Sequence, residues 1–254
     1  MSNKTILITG ATAGIGEATA LKFAEANWDL IITGRRADRL EKLQTTLISK
    51  FKISVNTLCF DVRNSAEVEQ AIDSLNEQAL KIDVLLNNAG LALGKGPLQE
   101  GNIDDWDTMI DTNLKGLLYM TRKVAPFMIK NGRGHIVNIG SLAGMEVYPG
   151  GNVYCATKHA VKAISRAMRM DMVQHGIKVT SINPGLAETE FSEVRFKGDA
   201  EKAKTVYKGF EPLYGSDIAE VIYFTATRPP HVNMDEVLIL CTAQADSRLV
   251  HKNQ

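Results

Sequence analysis

The sequence is poor in the features that mark specialised chains. Its 254 residues include only three cysteines, Cys59, Cys155 and Cys241, which are odd in number and far apart. That pattern excludes a disulfide framework and fits reduced thiols. The five histidines, His135, His159, His175, His231 and His251, lack metal-ligand spacing, so they read as structural or solvated and no metal is expected. Lysine plus arginine and aspartate plus glutamate number 29 each, leaving no basic surplus for nucleic acid or an anionic membrane. No apolar run approaches the roughly 18 residues that a membrane span needs. Repeats, low-complexity tracts and linker-like shifts in composition are also missing. The first residues, Met1 to Thr5, lead straight into a strand-like run. A signal or transit peptide is therefore not expected, and the location expected is cytoplasmic.

What remains is a chain of ordinary globular composition, 44% hydrophobic, whose length suits one large domain over residues 1–254. Short apolar runs start at Thr5, Leu30, Val55, Val84, His135, Lys178 and Val237. Most have no polar face, as expected of parallel strands covered on both sides. Amphipathic stretches separate them. In one, Val68, Ile72, Leu75 and Ala79 recur at helical spacing after a cap at Asn64 or Ser65. The alternation predicts an α/β fold, a doubly wound parallel sheet of about seven Rossmann-like strands. The rhythm breaks over about residues 186–214, a charged stretch carrying Gly198, Gly209 and Pro212. A long irregular segment just past the carboxyl end of a strand is where open α/β sheets bind ligands, so it is read as a substrate loop.

Thr9-Gly10-Ala11-Thr12-Ala13-Gly14-Ile15-Gly16 follows the first strand and opens a helix. Gly10 permits the tight turn, Gly14 admits a pyrophosphate close to the backbone, and Gly16 lets the helix pack on the sheet. The helix amino terminus supplies amide hydrogens and a favourable dipole for phosphate. Tyr154 and Lys158, four residues apart on a helix predicted from about Asn152 to Gln174, share one face. A free tyrosine titrates near ~10, and a nearby lysine cation favours the phenolate, which makes the pair an acid/base candidate. Ser141, at the end of a strand, can hydrogen-bond a substrate oxygen and stabilise charge developing on it.

In its T-G-x-x-x-G-x-G spacing this turn resembles that of the short-chain dehydrogenase/reductase family. Asn87-Asn88-Ala89-Gly90 and the ordered set Asn113, Ser141, Tyr154 and Lys158 extend the likeness over essentially the whole chain. A Tyr/Lys pair at this spacing is commonplace on helices; its register with Asn113 and Ser141 carries the reading. The resemblance implies concerted transfer, with Tyr154 exchanging a proton with a hydroxyl oxygen while hydride passes between its carbon and a nicotinamide. It further implies that Lys158 holds the nicotinamide ribose and that Asn113 binds a water joining the lysine to solvent. The implied cofactor contacts are Gly10, Thr12, Ala13, Gly14, Ile15, Gly16, Asp61, Val62, Asn88, Tyr154, Lys158, Pro184, Gly185 and Thr189. The second strand ends Thr33-Gly34-Arg35-Arg36 with no acid, which selects NADP over NAD because two guanidiniums can grip a 2′-phosphate.

Closer markers, Tyr148-Pro149-Gly150-Gly151-Asn152 and Thr189-Glu190-Phe191-Ser192, resemble the NADP-dependent 3-hydroxy acid dehydrogenases, including those acting on serine and allo-threonine. Their small-molecule substrates carry a carboxylate. Ser141 and Tyr154 would face the hydroxyl, and Arg195 or Lys197 could hold the carboxylate, the arginine with two parallel bonds. Met234-Asp235-Glu236-Val237 lacks the family's usual paired glycines, so the C-terminal wall of the substrate site is expected to differ. The competing readings are a carbonyl or 3-ketoacyl reductase for a larger ketone, and a non-enzymatic NADP sensor. A carrier-protein substrate favours a basic entrance that this balanced chain lacks, and sensors tend to lose the Tyr/Lys pair. The family also implies a homotetramer, with Leu114, Leu117, Leu118, Met120, Val161, Ile164 and Met168 read as apolar surface for it. Cys155 is expected to pack away from the site, and Asp104, Asp105, Asp107 and Asp111 to open an exposed helix.

Overall fold

In a computed structural model, residues 3–77 and 79–253 are described. Apolar, β-branched segments form seven parallel strands: β1 (Thr5–Ile8), β2 (Asp29–Gly34), β3 (Val55–Cys59), β4 (Ile82–Asn87), β5 (Gly134–Ile139), β6 (Ile177–Pro184) and β9 (Glu236–Ile239). Their order across the sheet is β3-β2-β1-β4-β5-β6-β9, so the winding reverses between β1 and β4. The other two, β7 (Ala187–Glu188) and β8 (Leu213–Tyr214), pair with each other at the base of the expected substrate loop.

Alternating side chains of each strand serve opposite faces. Ile6, Ile8, Leu30 and Ile32 join one core, against α1 (Gly14–Glu25), α2 (Ala37–Lys50) and α9 (Gly215–Ala226). Leu7, Ile31 and Leu85 join the other, against α3 (Ser65–Asp73), α5 (Leu117–Lys130) and α6 (Asn152–Met172). Burial on both faces explains why the strands carry no polar stripe; each fully buried Leu or Ile contributes about 1.5–3 kcal/mol. The remaining helices are α4 (Ile103–Ile110), α7 (Phe191–Arg195) and α8 (Ala200–Thr205), the last two within the irregular segment.

Several local expectations shift. Asn64 is the cap of α3, its Oδ1 accepting from the Ala66 and Glu67 amides, but the helix ends at Asp73 and leaves Leu75 and Ala79 outside it. Leu117, Met120, Val161 and Met168, expected to be surface, are buried in the core of this chain. Their spacing marks the face of α5 and α6 that lies on the sheet. Leu118 is the exposed member of that group, and Leu114 and Ile164 are half-buried. Among the described residues no helix is long and apolar enough to cross a membrane. The three thiols are free; Cys59 is exposed, and Cys155 packs with Leu91, Ala92, Met109 and Ala143.

His135 on β5 is buried, with Nε2 hydrogen-bonded to Thr180 Oγ1 at 2.8 Å and Nδ1 unpartnered. Burial, assisted by the Lys178 charge, pushes its pKa down to about 3. The unfolded chain therefore takes up a proton below about pH 6.5 that the folded chain refuses, and stability falls with pH. Between pH 6.5 and 5 this group should cost about 2 kcal/mol. Urea unfolding at both pH values should show that loss in the wild type and lack it in His135→Leu. An equal loss in both would assign the pH dependence to other groups.

Candidate active site

The winding reversal separates the connections after β1 and β4 and opens a crevice at their carboxyl ends. Thr9 and Asn88 close its floor. Thr9 Oγ1 donates to Leu86 O at 3.2 Å and accepts from the Asn88 and Ala89 amides at 2.9 and 3.0 Å. Asn88 Nδ2 in turn donates to Thr9 O at 2.9 Å and Gly10 O at 3.1 Å. Behind them Asn87 Nδ2 donates to Asn138 Oδ1 at 2.9 Å and Thr121 Oγ1 at 3.0 Å, tying β4 to β5 and α5.

Gly10 and Gly14 have φ of +66° and +56°, in the left-handed region that side chains avoid. Gly16 has ordinary φ, but a Cβ there would press into the Gly10 carbonyl, so its role is close packing of α1 under the turn. The turn faces a cavity of about 480 Å³. Gly10, Thr12, Ala13, Gly14, Ile15, Arg35, Arg36, Asp61, Val62 and Asn88 line one end of it. Ser141, Tyr154, Lys158, Pro184, Gly185, Thr189 and Arg195 also line it. Two predicted residues stand behind this surface, Gly16 and Asn113. Thr33 Oγ1 and Thr112 Oγ1, also in the lining, are buried without a hydrogen-bond partner.

Asn113 lies in a π-helical turn, Asp111–Gly116, between α4 and α5. Such turns redirect side chains and recur at functional sites. Its Oδ1 accepts from Leu91 N and its Nδ2 donates to Leu91 O, both at 2.8 Å, with a further bond to Thr157 Oγ1 at 3.1 Å. A Cβ on Gly90 would come within 3.2 Å of Asn113 Oδ1 and 3.5 Å of Lys158 Nζ, so glycine keeps these two groups neighbours. Lys158 Nζ donates to Ile139 O at 2.8 Å and lies 5.9 Å from the centre of the Tyr154 ring. Gly144 lets the chain pass close to the Lys158 backbone; a Cβ there would be 2.6 Å from Lys158 O.

Burial controls the electrostatics of this group. It pushes Lys158 down to about 8 and Tyr154 well above its ordinary value. The lowering of Tyr154 expected from Lys158 does not arise in the protein alone, where burial raises the phenol. The groups that pull the phenol back are the Ser141 hydroxyl and the Arg195 charge. Ser141 Oγ also accepts from the Ala143 amide at 3.1 Å, which orients it at the head of a 3-10 turn.

Arg195 is drawn inward at the end of α7. Nε donates to Gly94 O at 3.3 Å and Nη1 to the Tyr148 hydroxyl at 3.1 Å, while Nη2 is buried without a partner. The guanidinium carbon lies 5.7 Å from the centre of the Tyr154 ring. Lys197, the other candidate cation, is held by Asp105 at 2.9 Å. Asp105 belongs to the first turn of α4, whose cap is Asn102.

Tyr148, Glu190, Gln244 and Ser247 also line the cavity but were not among the expected site residues. Gln244 Oε1 accepts from Leu186 N at 2.8 Å, so the C-terminal tail clamps the start of the irregular segment. Nothing local in the sequence marks the tail, because its partners lie about sixty residues away.

The family model for short chain dehydrogenases matches residues 4–200. The NADP-dependent 3-hydroxy acid dehydrogenase YdfG of Salmonella typhi is 48% identical over 250 residues, covering 98% of this chain and 99% of that protein. Sulfoacetaldehyde reductase 2 of Chromohalobacter salexigens is 45% identical over 241 residues, covering 94% and 95%. The closed form of serine dehydrogenase complexed with NADP+ superposes with a TM-score of 0.91 at 44% identity, covering 98% of this chain and 100% of that one.

Alanine in place of glycine ordinarily stabilises a helix by about 0.5–1 kcal/mol. Gly16→Ala should do the opposite here and cost about 1–3 kcal/mol, because the methyl group displaces the Gly10 carbonyl. Denaturant unfolding measures the sign; a stabilised variant would mean that the turn yields freely.

Proposed function

The chain belongs to the short-chain dehydrogenase family of oxidoreductases, and on that premise we propose that it is an NADP-dependent dehydrogenase of small 3-hydroxy acids such as L-serine, L-allo-threonine or 3-hydroxypropionate. The observation that carries this reading is convergence. Ser141, Tyr154, Lys158 and an inward-facing guanidinium with one unpartnered nitrogen share a cavity with a glycine turn.

The donor set fits NADP. The turn at Gly10 and Gly14 and the head of α1 offer amides to the pyrophosphate, Arg35 and Arg36 offer cations to the 2′-phosphate, and Thr33 and Thr112 offer free buried hydroxyls. NADP, when bound, supplies or accepts the hydride. Tyr154 and Ser141 hold the substrate oxygen between them. A phenol kept protonated by burial is suited to give its proton to a carbonyl oxygen as that carbon is reduced, and to recover it in oxidation. Ser141 donates to the same oxygen as negative charge builds there. Lys158, fixed by the Ile139 carbonyl, stands where proton exchange with the phenol can pass toward Asn113.

Arg195 sets the substrate class. Its guanidinium lies 5.7 Å from the centre of the Tyr154 ring, so a carboxylate held by it would sit beside the phenol that handles the hydroxyl. A sulfonate carries the same charge at a similar distance, and the likeness to a sulfoacetaldehyde reductase brings such substrates into the same reading. The segment 186–214 serves as the substrate loop on one domain spanning 1–254. Assembly as a homotetramer through the α4–α5 and α6 faces, where Leu118 and Met170 are exposed, belongs to the reading as well.

Tyr154→Phe should keep NADPH binding, followed by fluorescence, while kcat falls by about 10²–10⁴. Undiminished turnover would remove Tyr154 from the chemistry. Arg195→Ala should raise KM for L-serine or 3-hydroxypropionate about 10- to 100-fold and leave an uncharged short alcohol unaffected. Equal effects on charged and uncharged substrates would show that the arginine acts on the fold of the loop rather than on the carboxylate.

A further inference from the structure

Arg36 is half-exposed, but its guanidinium is already partnered. Its Nε and Nη2 donate to Thr12 Oγ1 at 3.2 and 2.8 Å, and its Nη1 donates to Glu190 Oε2 at 3.0 Å. The other oxygen of Glu190 accepts from Arg39 Nη1, one turn further along α2. One carboxylate therefore spans two guanidiniums that lie 154 and 151 residues away in the sequence. Glu190 occupies the cap position of α7 yet makes no capping bond, its side chain being turned to the arginines instead.

Resting on the NADP reading of the cleft, we propose that Glu190 is an internal counter-ion for the 2′-phosphate site. It occupies Arg36 and Arg39 in the cofactor-free enzyme and is exchanged for phosphate when NADP binds. Arg39, which the sequence did not single out, becomes part of that site.

The bridge is built to be exchanged. The three side chains are about equally exposed, at 40% for Arg36, 43% for Arg39 and 39% for Glu190. Such half-solvated pairs hold weakly. A phosphate monoester brings about −1.5 to −2 charge and three acceptor oxygens against one charge and two oxygens. Loss of Glu190 also leaves Arg36 in position, because Thr12 grips it from the other side.

The exchange has a consequence at the other end of the cleft. Glu190 and Arg195 sit at opposite ends of the same short helix, α7. Releasing Glu190 frees the segment that carries the carboxylate-facing guanidinium, so occupancy of the phosphate site is felt where the substrate binds. A dinucleotide without the 2′-phosphate leaves the bridge intact. Glu190 thus weakens binding of the 2′-phosphorylated cofactor alone and, by competition, narrows the preference that Arg36 and Arg39 confer.

Calorimetric titration with 2′,5′-ADP and with 5′-ADP tests this without turnover. Glu190→Gln and Glu190→Ala should each bind 2′,5′-ADP about three- to tenfold more tightly than the wild type and bind 5′-ADP unchanged. Unaltered or weaker 2′,5′-ADP binding in both variants, or an equal change for both ligands, overturns the proposal. Arg36→Ala should weaken 2′,5′-ADP alone. If it weakens neither ligand, the NADP reading of this end of the cleft fails; if it behaves as expected while the Glu190 variants do not, only the counter-ion role fails.

Discussion

Thr9 and Asn88 join the carboxyl ends of β1 and β4 at the point where the sheet reverses its winding, and the cleft is organised around that junction. The threonine hydroxyl is fully used, donating once and accepting twice, and the asparagine amide returns two bonds to the phosphate turn. With the strand ends fixed, Gly10 has one conformation open to it and α1 starts at a set angle. The far side of the junction carries Gly90, whose bare Cα leaves room for Asn113 and Lys158 to approach each other. Turn and reacting groups are thus referenced to the same few backbone atoms, which is the preorganisation that hydride transfer between two bound molecules requires.

Burial then sets the chemical character of those groups. Tyr154 and Lys158 are both taken from water, and each is driven toward its neutral form, the phenol upward and the ammonium downward. Lys158 Nζ stands 5.9 Å from the centre of the Tyr154 ring, and neither group draws the other toward its charged form. In the protein alone the pair is a protonated phenol beside a softened ammonium, with Ser141 and Arg195 as the groups that favour the phenolate. The acid/base character of the site is therefore a property of the enclosed cavity as much as of the two residues.

The segment 186–214 looks irregular in sequence because its order is imposed from outside. The stretch carrying two short helices, neither longer than six residues, is tied at its ends by Tyr207 to Ala187, by Leu186 to Gln244 and by Asn253 to Gly209. Helices of that length do not stand alone in water. Part of their support is distant in sequence, from Gly94 and Tyr148 on Arg195 and from the C-terminal tail at the ends of the stretch, so no local pattern could announce it.

The sequence by itself determined the sheet, the glycine turn and the pairing of Tyr154 with Lys158, because each depends on local rules. Doubly buried strands must be apolar throughout, a left-handed turn calls for glycine at Gly10 and Gly14, and a four-residue spacing puts Tyr154 and Lys158 on one helix face. The tertiary structure alone decided which apolar helix faces are core, since periodicity marks a face without naming what covers it; Leu117, Met120, Val161 and Met168 went to the sheet. It alone decided that Arg195 turns inward while Lys197 is taken by Asp105, and that Arg36 meets Glu190. Charges choose partners by distance in space, and those distances are fixed only once the sheet has brought segments about 90 and more residues apart into contact.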